Sequence, residues 1–536
     1  MVTLNYIELF AGCGGLSLGL ESIGNFQMVM ANELSPMPAQ TYAYNFFNED
    51  LEQITTSSEN VKWLSSQYPK NNTIDRLRED PRQYPALNAE DRHSDLNKSA
   101  SLHGKLVVAD IRQLNQFLTI HPNIAKDLSE AYGNGSLELV SGGPPCQSFS
   151  MAGLRQRDND RNTLPWEFAK FVNMVQPKFT ILENVTGILR AFKEDDGSLH
   201  YAWKEVAGTF CTIGYIPLCL HVNAKYVGAP QNRPRFIMIG IREDIYRNLS
   251  NTLTAIEKEI FSPFEKCFKA IKSGNNLTDN TKALEHLIYY DVAKQTDIGL
   301  FINSFLSPLV TKTEPFVSVC EAIDDLRFNE LNLKPSDYIN KNANLLSKGV
   351  IVPRNKIANH EPRSNGALVQ RRFRIYQVMQ KVEPKLSKEV KSILKGDLNN
   401  LSYEAWSAFS KYDYLNENGN FSVFEDQADF IEFLQRHTTK KQTQKALVAD
   451  QPAPAALSIP DDACHYHHDE LRTLTVREMA RIQSFPDSFV FKSKVTTGGQ
   501  MRKFEVPQYT QVGNAVPPML GRALGLVIQK LDNRLN

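Results

Sequence analysis

The chain has no apolar run approaching the ~20 residues that a membrane-spanning helix needs. Its start, MVTLNYIELFAG, shows no basic stretch and no cleavage pattern, which predicts no secretion signal. Formal net charge is zero, with 60 Lys and Arg against 60 Asp and Glu, so no bulk field announces a polyanionic partner. Any nucleic-acid contact must then rest on local charge. The seven cysteines are odd in number and scattered, which excludes a disulfide framework and predicts reduced thiols in a cytoplasmic protein. The sequence shows no internal repeat, no G-x-G-x-x-G and no phosphate loop ending in Lys-Ser/Thr. What is present is 536 residues, 42% hydrophobic and 22% charged, enough for a large core and more than one domain.

The first ~240 residues alternate between strand and helix patterns. Strands are expected at 5–10, 27–31, 106–109, 137–140, 179–182, 216–222 and 236–241, with helices between them, for example at 16–22 and 166–175. That is the pattern of a doubly wound α/β sheet, in which ligands bind outside the carboxyl ends of the strands. Those ends carry a glycine loop at Gly12, then Glu33, Asp110, Cys146 and Glu183. Two stretches interrupt the pattern. Residues 50–104 are polar and are expected to be a partly mobile surface insert. Residues 243–470 lack the alternation and are expected to form a separate domain, before a helix-and-turn block at 472–489 and a terminal helix.

Each motif has its own chemistry. In IELFAGCGGLSLGL (7–20), Gly12, Gly14 and Gly15 allow close backbone approach to a nucleotide-like ligand. An acid ending the second strand, Glu33, suits ribose hydroxyls. Asp110 can accept from an adenine amino group or simply cap a helix. In SGGPPCQSFS (141–150), two prolines fix the backbone before Cys146, which suits a rigidly held nucleophile. Glu183 in ILENV sits beside an apolar strand, where a carboxyl can hold a proton. Arg233 and Arg235 in QNRPRFIMIG point alike along an extended chain and can clamp an anion.

Together these residues resemble the C5-cytosine DNA methyltransferase family. FAGCGG (10–15), Glu33, Asp110-Ile111, GGPPCQSFS, ENV, QNRPR, RTLTVREMARIQSFPDSF (472–489) and QVGNAVPP (511–518) stand in the family's order. The resemblance covers residues 1–48, 105–242 and 471–531, and the long middle matches only by position. It implies an α/β fold: a doubly wound, Rossmann-like methyltransferase sheet with a second, smaller target-recognition domain inserted before the C-terminal return. The corresponding divisions are 1–242, 243–470 and 471–536. It implies S-adenosyl-L-methionine as cofactor, held by Phe10, Ala11, Gly12, Gly14, Gly15, Glu33, Asp110, Ile111, Pro145 and Asn514. It implies cytosine in double-stranded DNA as substrate, Cys146 as the nucleophile toward C6, and Glu183 at N3 and the 4-amino group. Arg233 and Arg235 would lie near O2. The loop 148–162 would close over a flipped base, with Ser150 and Arg155 against DNA. It also implies a monomer that protects DNA from a cognate restriction endonuclease without stably binding it. No membrane partner is expected.

The middle region supplies the local charge. Residues 354–395 hold eleven Lys and Arg against three Glu, densest at Arg371, Arg372 and Arg374. Phosphate contacts need such charge. The arginines of 472–489 are expected on the outside of their helix, bracing the domain junction. Cys464-His465-Tyr466-His467-His468 lacks a distant second half, so no metal is expected. Three other readings compete: an RNA methyltransferase of the same fold, a DNA-binding regulator that has lost catalysis, and a nicotinamide dehydrogenase. The large middle region, the intact cysteine, glutamate and arginines, and the glycine spacing argue against them in that order.

Overall fold

The computed structural model describes residues 2–54, 57–145, 163–193, 199–274, 282–439, 445–459 and 465–535. Strand β1 (Leu4–Leu9) is buried at every position. Strict apolar–polar alternation is absent because a central parallel strand has both faces covered. Around it lie β2 (Phe26–Glu33), β3 (Val61–Trp63), β4 (Lys105–Val108), β5 (Leu139–Gly142), β6 (Phe179–Val185), β7 (Tyr215–Asn223), β8 (Pro234–Arg242) and β9 (Tyr290–Asp291). Their order across the sheet is β9-β7-β8-β6-β5-β1-β2-β4-β3. Only β8 runs against its neighbours; the other pairings are parallel. The chain winds from β1 through β2 to one edge, then restarts at β5 on the other side. The topological switch point therefore falls between β1 and β5, where a doubly wound sheet binds its ligand.

Helix α1 (Gly15–Glu21) follows the glycine turn, and the terminal helix α2 (Pro518–Asp532) packs directly on it. The approach is close enough that a Cβ on Gly19 would fall 2.4 Å from Arg522 N and Pro518 O. The C-terminal return thus sits beside the first strand and its loop.

The seven expected strands are present within a few residues of their expected bounds. Two further strands, β3 and β9, lie in the two stretches read as interruptions. Residues 50–104, expected to be a partly mobile surface piece, are instead folded onto the sheet edge. Leu51, Val61, Trp63, Leu64, Leu77, Leu96 and Leu102 are buried. Arg76 Nη1 meets Asp95 Oδ2 at 2.9 Å, both side chains almost fully enclosed. The segment's polarity is spent on partners within itself, so composition alone misreads it.

The expected second domain, 243–470, divides differently. Residues from Ile245 to Leu309 pack into the main core, and β9 extends the sheet beside β7. Val319, Ala322, Ile323, Tyr338 and Ile339 join a second core with residues 474–512. A separate small core spans Ile375 to Leu434. A two-residue strand such as β9 leaves no periodic signal, which is why this division was not legible. In the 472–489 block, Arg472, Arg477 and Arg481 are buried, not exterior. Two of them reach back to the middle region: Arg481 Nη1 donates to Ala322 O and Arg477 Nε to Ala358 O. No helix among the described residues is long and apolar enough to cross a membrane.

Candidate active site

The glycine turn closes the end of β1. Ala11 N donates to Asn32 O and Gly14 N to Ala11 O, both at 2.9 Å. Phe10, Gly12 and Gly14 have φ of 56°, 56° and 92°, a strained conformation for phenylalanine that marks a held turn. Glu33 fixes the turn from the next strand. Its Oε2 accepts from Gly12 N and its Oε1 from Ser35 N, each at 2.8 Å. Each oxygen keeps a second lone pair for a ligand hydroxyl. Burial raises the Glu33 carboxyl above the usual range, against these backbone donors. Asn32 Nδ2 bonds Val107 O and Ala109 O at 3.0 Å, which sets Glu33 beside the end of β4. There Asp110 caps its helix (Ile111–Ile120), accepting from Arg112 N at 2.8 Å and pairing with the Arg112 guanidinium. Its capping reading is the one seen; Ile111 is buried beside it.

Asn514 ends a helix (Gln508–Asn514) and is exposed. A Cβ on Gly15 would lie 2.3 Å from Val516 O, so the loop after Asn514 rests on the glycine turn. Gln511 anchors that helix: its Oε1 accepts from Thr41 Oγ1 at 2.6 Å. The turn is open on its outer side, since a Cβ on Gly12 would meet nothing within 4 Å. An open cradle, a carboxylate with spare acceptors and an exposed amide fit a polar nucleoside cofactor.

Across the switch point, Glu183 and Arg235 form an ion pair, with Nε 2.6 Å from Oε1. The N–H is not aligned for a hydrogen bond, so the contact is one of charge. Register explains the pair: Arg235 faces Val185, and Glu183 is its diagonal neighbour on the adjacent strand, within reach of a long side chain. A Cβ on Gly143 would strike Glu183 Oε2 at 2.8 Å. Asn184 Nδ2 donates to Pro144 O at 3.1 Å. The ENV strand therefore positions the Gly-Pro-Pro loop as well as its own carboxylate, and Pro145 is exposed at the loop's end. Cys146, Ser150 and Arg155 lie outside the described residues.

Arg233 does not sit beside Arg235 as a second arm of a clamp. It is buried, and its described contacts are carbonyls: Gly513 O at 2.6 Å, Ala456 O at 3.1 Å and Ala515 O at 3.2 Å. Residues two apart point alike only within a strand, and β8 begins at Pro234, so Arg233 lies outside it. Arg371, Arg372 and Arg374 are likewise engaged internally, on Asn416 O, His437 O and Asp413. His467 Nδ1 accepts two backbone N–H groups, from Asp469 and Glu470, and burial pushes its ring down to about 3. Sequence reasoning missed Asn32, Asn184 and Gln511. Asn184 and Gln511 had a signal, their places inside ENV and QVGNAVPP.

Beneath the turn, Glu8 is buried and accepts from Ser17 N at 3.1 Å, and burial pushes its carboxyl up to about 8, with Glu21 and Glu33 adding to the rise. The folded state thus holds a proton that the unfolded chain releases near 4.5. This stabilisation is full below pH 4.5 and is lost as pH rises to about 8. Glu8→Gln keeps a neutral acceptor there. Its Tm is expected to fall less from pH 5.5 to 8.5 than that of the wild type, which loses on the order of a few kcal/mol more over that range. Parallel melting curves for the two proteins would disprove a protonated Glu8.

This strand order, with one reversed strand and its polar edge at the switch point, defines a Rossmann-like methyltransferase. The sequence model of the C-5 cytosine-specific DNA methylase family matches residues 4–77 and 103–530. The chain belongs to that family and is a DNA (cytosine-5)-methyltransferase. It is 26% identical to the type II methyltransferase M.DdeI of Desulfomicrobium norvegicum over 97% of this chain and 87% of that protein. It is 24% identical to the type II methyltransferase M1.HphI of Haemophilus parahaemolyticus, over 99% and 88%. Among solved structures, a putative DNA modification methyltransferase encoded within an E. coli prophage aligns over 99% of this chain and 100% of that one, at 18% identity and a TM-score of 0.44.

Proposed function

We propose that this enzyme methylates C5 of cytosine within a specific double-stranded DNA sequence, using S-adenosyl-L-methionine, as the protective partner of a restriction endonuclease. The observation that carries this reading is the Glu183–Arg235 pair under the Gly143–Pro145 loop, on the same sheet edge as the glycine turn. The type II relatives support the restriction-modification setting.

Cytosine C5 is a weak nucleophile and must be activated. The Cys146 thiolate bonds to C6, which pushes electron density to C5 and toward N3 and O2. Glu183 accepts from the 4-amino group and, carrying a proton, donates to N3. Arg235 holds Glu183 in place and offsets charge developing near O2. Arg233 acts behind them, tying the start of β8 to the loop after Asn514. The cofactor, when bound, supplies an electrophilic methyl group for C5. Phe10 to Gly15, Glu33, Ile111, Pro145 and Asn514 hold it, and Asp110 shapes the pocket through its helix cap. A base, for which a water molecule serves, then takes the C5 proton; the C–H electron pair restores the C5–C6 double bond and the C6–S bond breaks to release the thiolate.

A stacked base cannot reach this edge, so the target cytosine leaves the helix at a cost of a few kcal/mol. Ser150 and Arg155 belong to the segment closing over it. Phosphate contact falls to a lysine face. The helix Pro384–Lys395 places Lys385, Lys388, Lys391 and Lys395 on the side opposite its buried Val390, Ile393 and Leu394. Burial and the charges of Lys395 and Lys445 lower the Lys391 ammonium, which shows how crowded that face is. Such a face attracts DNA phosphates.

Bisulfite sequencing of DNA from cells expressing the enzyme tests the reading directly. Protected cytosines should recur in one sequence context. Uniform conversion, with methyl transfer to tRNA instead, would overturn it.

A further inference from the structure

Residues 78–102 fall in the gap of the family match, so the family supplies no role for them. The structure places residues 82–85 against the proposed cofactor residues. Tyr84 Oη donates to Leu34 O at 3.1 Å. Leu34 directly follows Glu33 and is 40% exposed, an apolar surface left bare at the strand edge. Pro85 O accepts from Gln113 Nε2 at 2.9 Å and from Ser65 Oγ at 2.5 Å. Gln113 lies one turn into the helix that starts at Ile111. The Arg82 guanidinium stacks 5.1 Å from the Phe504 ring centroid, just before the helix that carries Asn514. The Tyr84 ring itself packs with a cluster that includes Ala11, Tyr42 and Val108. Four consecutive residues therefore reach three pieces of chain far apart in sequence, each carrying a residue proposed to hold the cofactor.

We propose that residues 82–85 form a strap across the nucleoside side of the cofactor site, with Tyr84 and Pro85 positioning the ends of β2 and β4 for the purine and ribose. This rests on the proposed use of S-adenosyl-L-methionine. The physical argument is one of preorganisation. The ends of β2 and β4 are joined by Asn32 Nδ2 to Val107 O and Ala109 O and by Ala109 N to Glu33 O, whereas Leu34 and the first turn of the helix at Ile111 lie just beyond those bonds, and a ligand that bridges them must order both. The strap fixes their spacing beforehand. It acts on the adenosine half alone, because none of the contacts named for it, among the described residues, falls on Glu183 or Arg235.

The test compares Tyr84→Phe and Tyr84→Ala with the wild type. Phenylalanine keeps the packing and removes only the bond to Leu34, so it is the informative variant should alanine fold poorly. Equilibrium dialysis with S-adenosylhomocysteine should show a dissociation constant raised about three- to tenfold in Tyr84→Phe and further in Tyr84→Ala. The nucleoside 5′-methylthioadenosine should lose the same factor. KM for the methyl donor should rise in step, with kcat at saturation and KM for DNA held. Unchanged affinity in both variants, or losses shared equally by kcat and the DNA KM, would overturn the strap. Wild-type enzyme that binds neither ligand would instead overturn the cofactor reading, and the strap with it.

Discussion

Cys146→Ala is expected to lower methyl transfer by about 10⁴-fold or more, because it removes the only group proposed to bond with the pyrimidine. The fold should survive. The loop that delivers position 146 is set by contacts that do not involve the thiol. Asn184 holds Pro144 O. Gly142 is wedged against the first strand, where a Cβ would fall 2.5 Å from Leu9 O. Gly143 leaves room for the Glu183 carboxylate. The variant should therefore melt within about 0.5 kcal/mol of wild type. DNA affinity should stay within a fewfold, since the phosphate contacts proposed for the helix Pro384–Lys395 do not involve position 146. The measurement is single-turnover transfer of labelled methyl groups to DNA, paired with trapping on DNA containing 5-fluorocytosine. Wild type should form a covalent complex on denaturing gels and the variant none. A variant that retained a tenth of the wild-type rate would end the covalent mechanism.

The second large effect is on stability. Gly19→Val should destabilise the protein by about 3 kcal/mol and abolish activity. The reason is backbone, not side chain. A Cβ at Gly19 meets Arg522 N, Pro518 O and the carbonyl carbon of Gly521, none of which can rotate away. The terminal helix would have to move off α1, carrying with it the loop that rests on Gly15. Cofactor site and core would fail together. Gly366→Ala is the control: its φ is −64° and a Cβ there meets nothing within 4 Å, so its effect should stay within about 0.5 kcal/mol. Thermal unfolding of the three proteins at equal concentration decides the matter. Equal midpoints for Gly19→Val and Gly366→Ala would show that the two helices are not in contact as described.

Several features of the site follow from residues alone. The ends of β1 and β2 could be read from apolar runs stopping near Gly12 and at Glu33, because a strand end is a local event, whereas β6 runs two residues past Glu183 to Val185. The same holds for Asp110 as a helix cap, where the accepting carboxylate and the donating N–H are two residues apart. Arg235 was placed near Glu183 only by resemblance. The antiparallel register of β8 on β6 gives the reason.

The arginines divide the two kinds of information. Their numbers and clustering at 371–374 and 472–481 are plain in the sequence, and that density alone reads as exposed charge, against DNA at 371–374 and on the outside of a junction helix at 472–481. In the folded chain Arg374 turns to Asp413, Arg481 to Asp325 and Asp487, and Arg233 to carbonyls some 280 residues away. A buried guanidinium needs several acceptors at once, and only the tertiary fold brings them together.

By itself, then, the sequence determined the sheet, its loaded edge and the chemistry that edge can perform, since all three are written in short-range pattern. What it left undecided was the fate of residues 50–104 and 243–310 and the partners of the buried charges. Those were settled by tertiary packing, because β3 and β9 are too short to announce themselves and a buried ion such as Arg481 finds one of its counter-groups, Asp325, far along the chain. Burial selects such pairings by removing water as the alternative partner, and that selection exists only once the chain has closed.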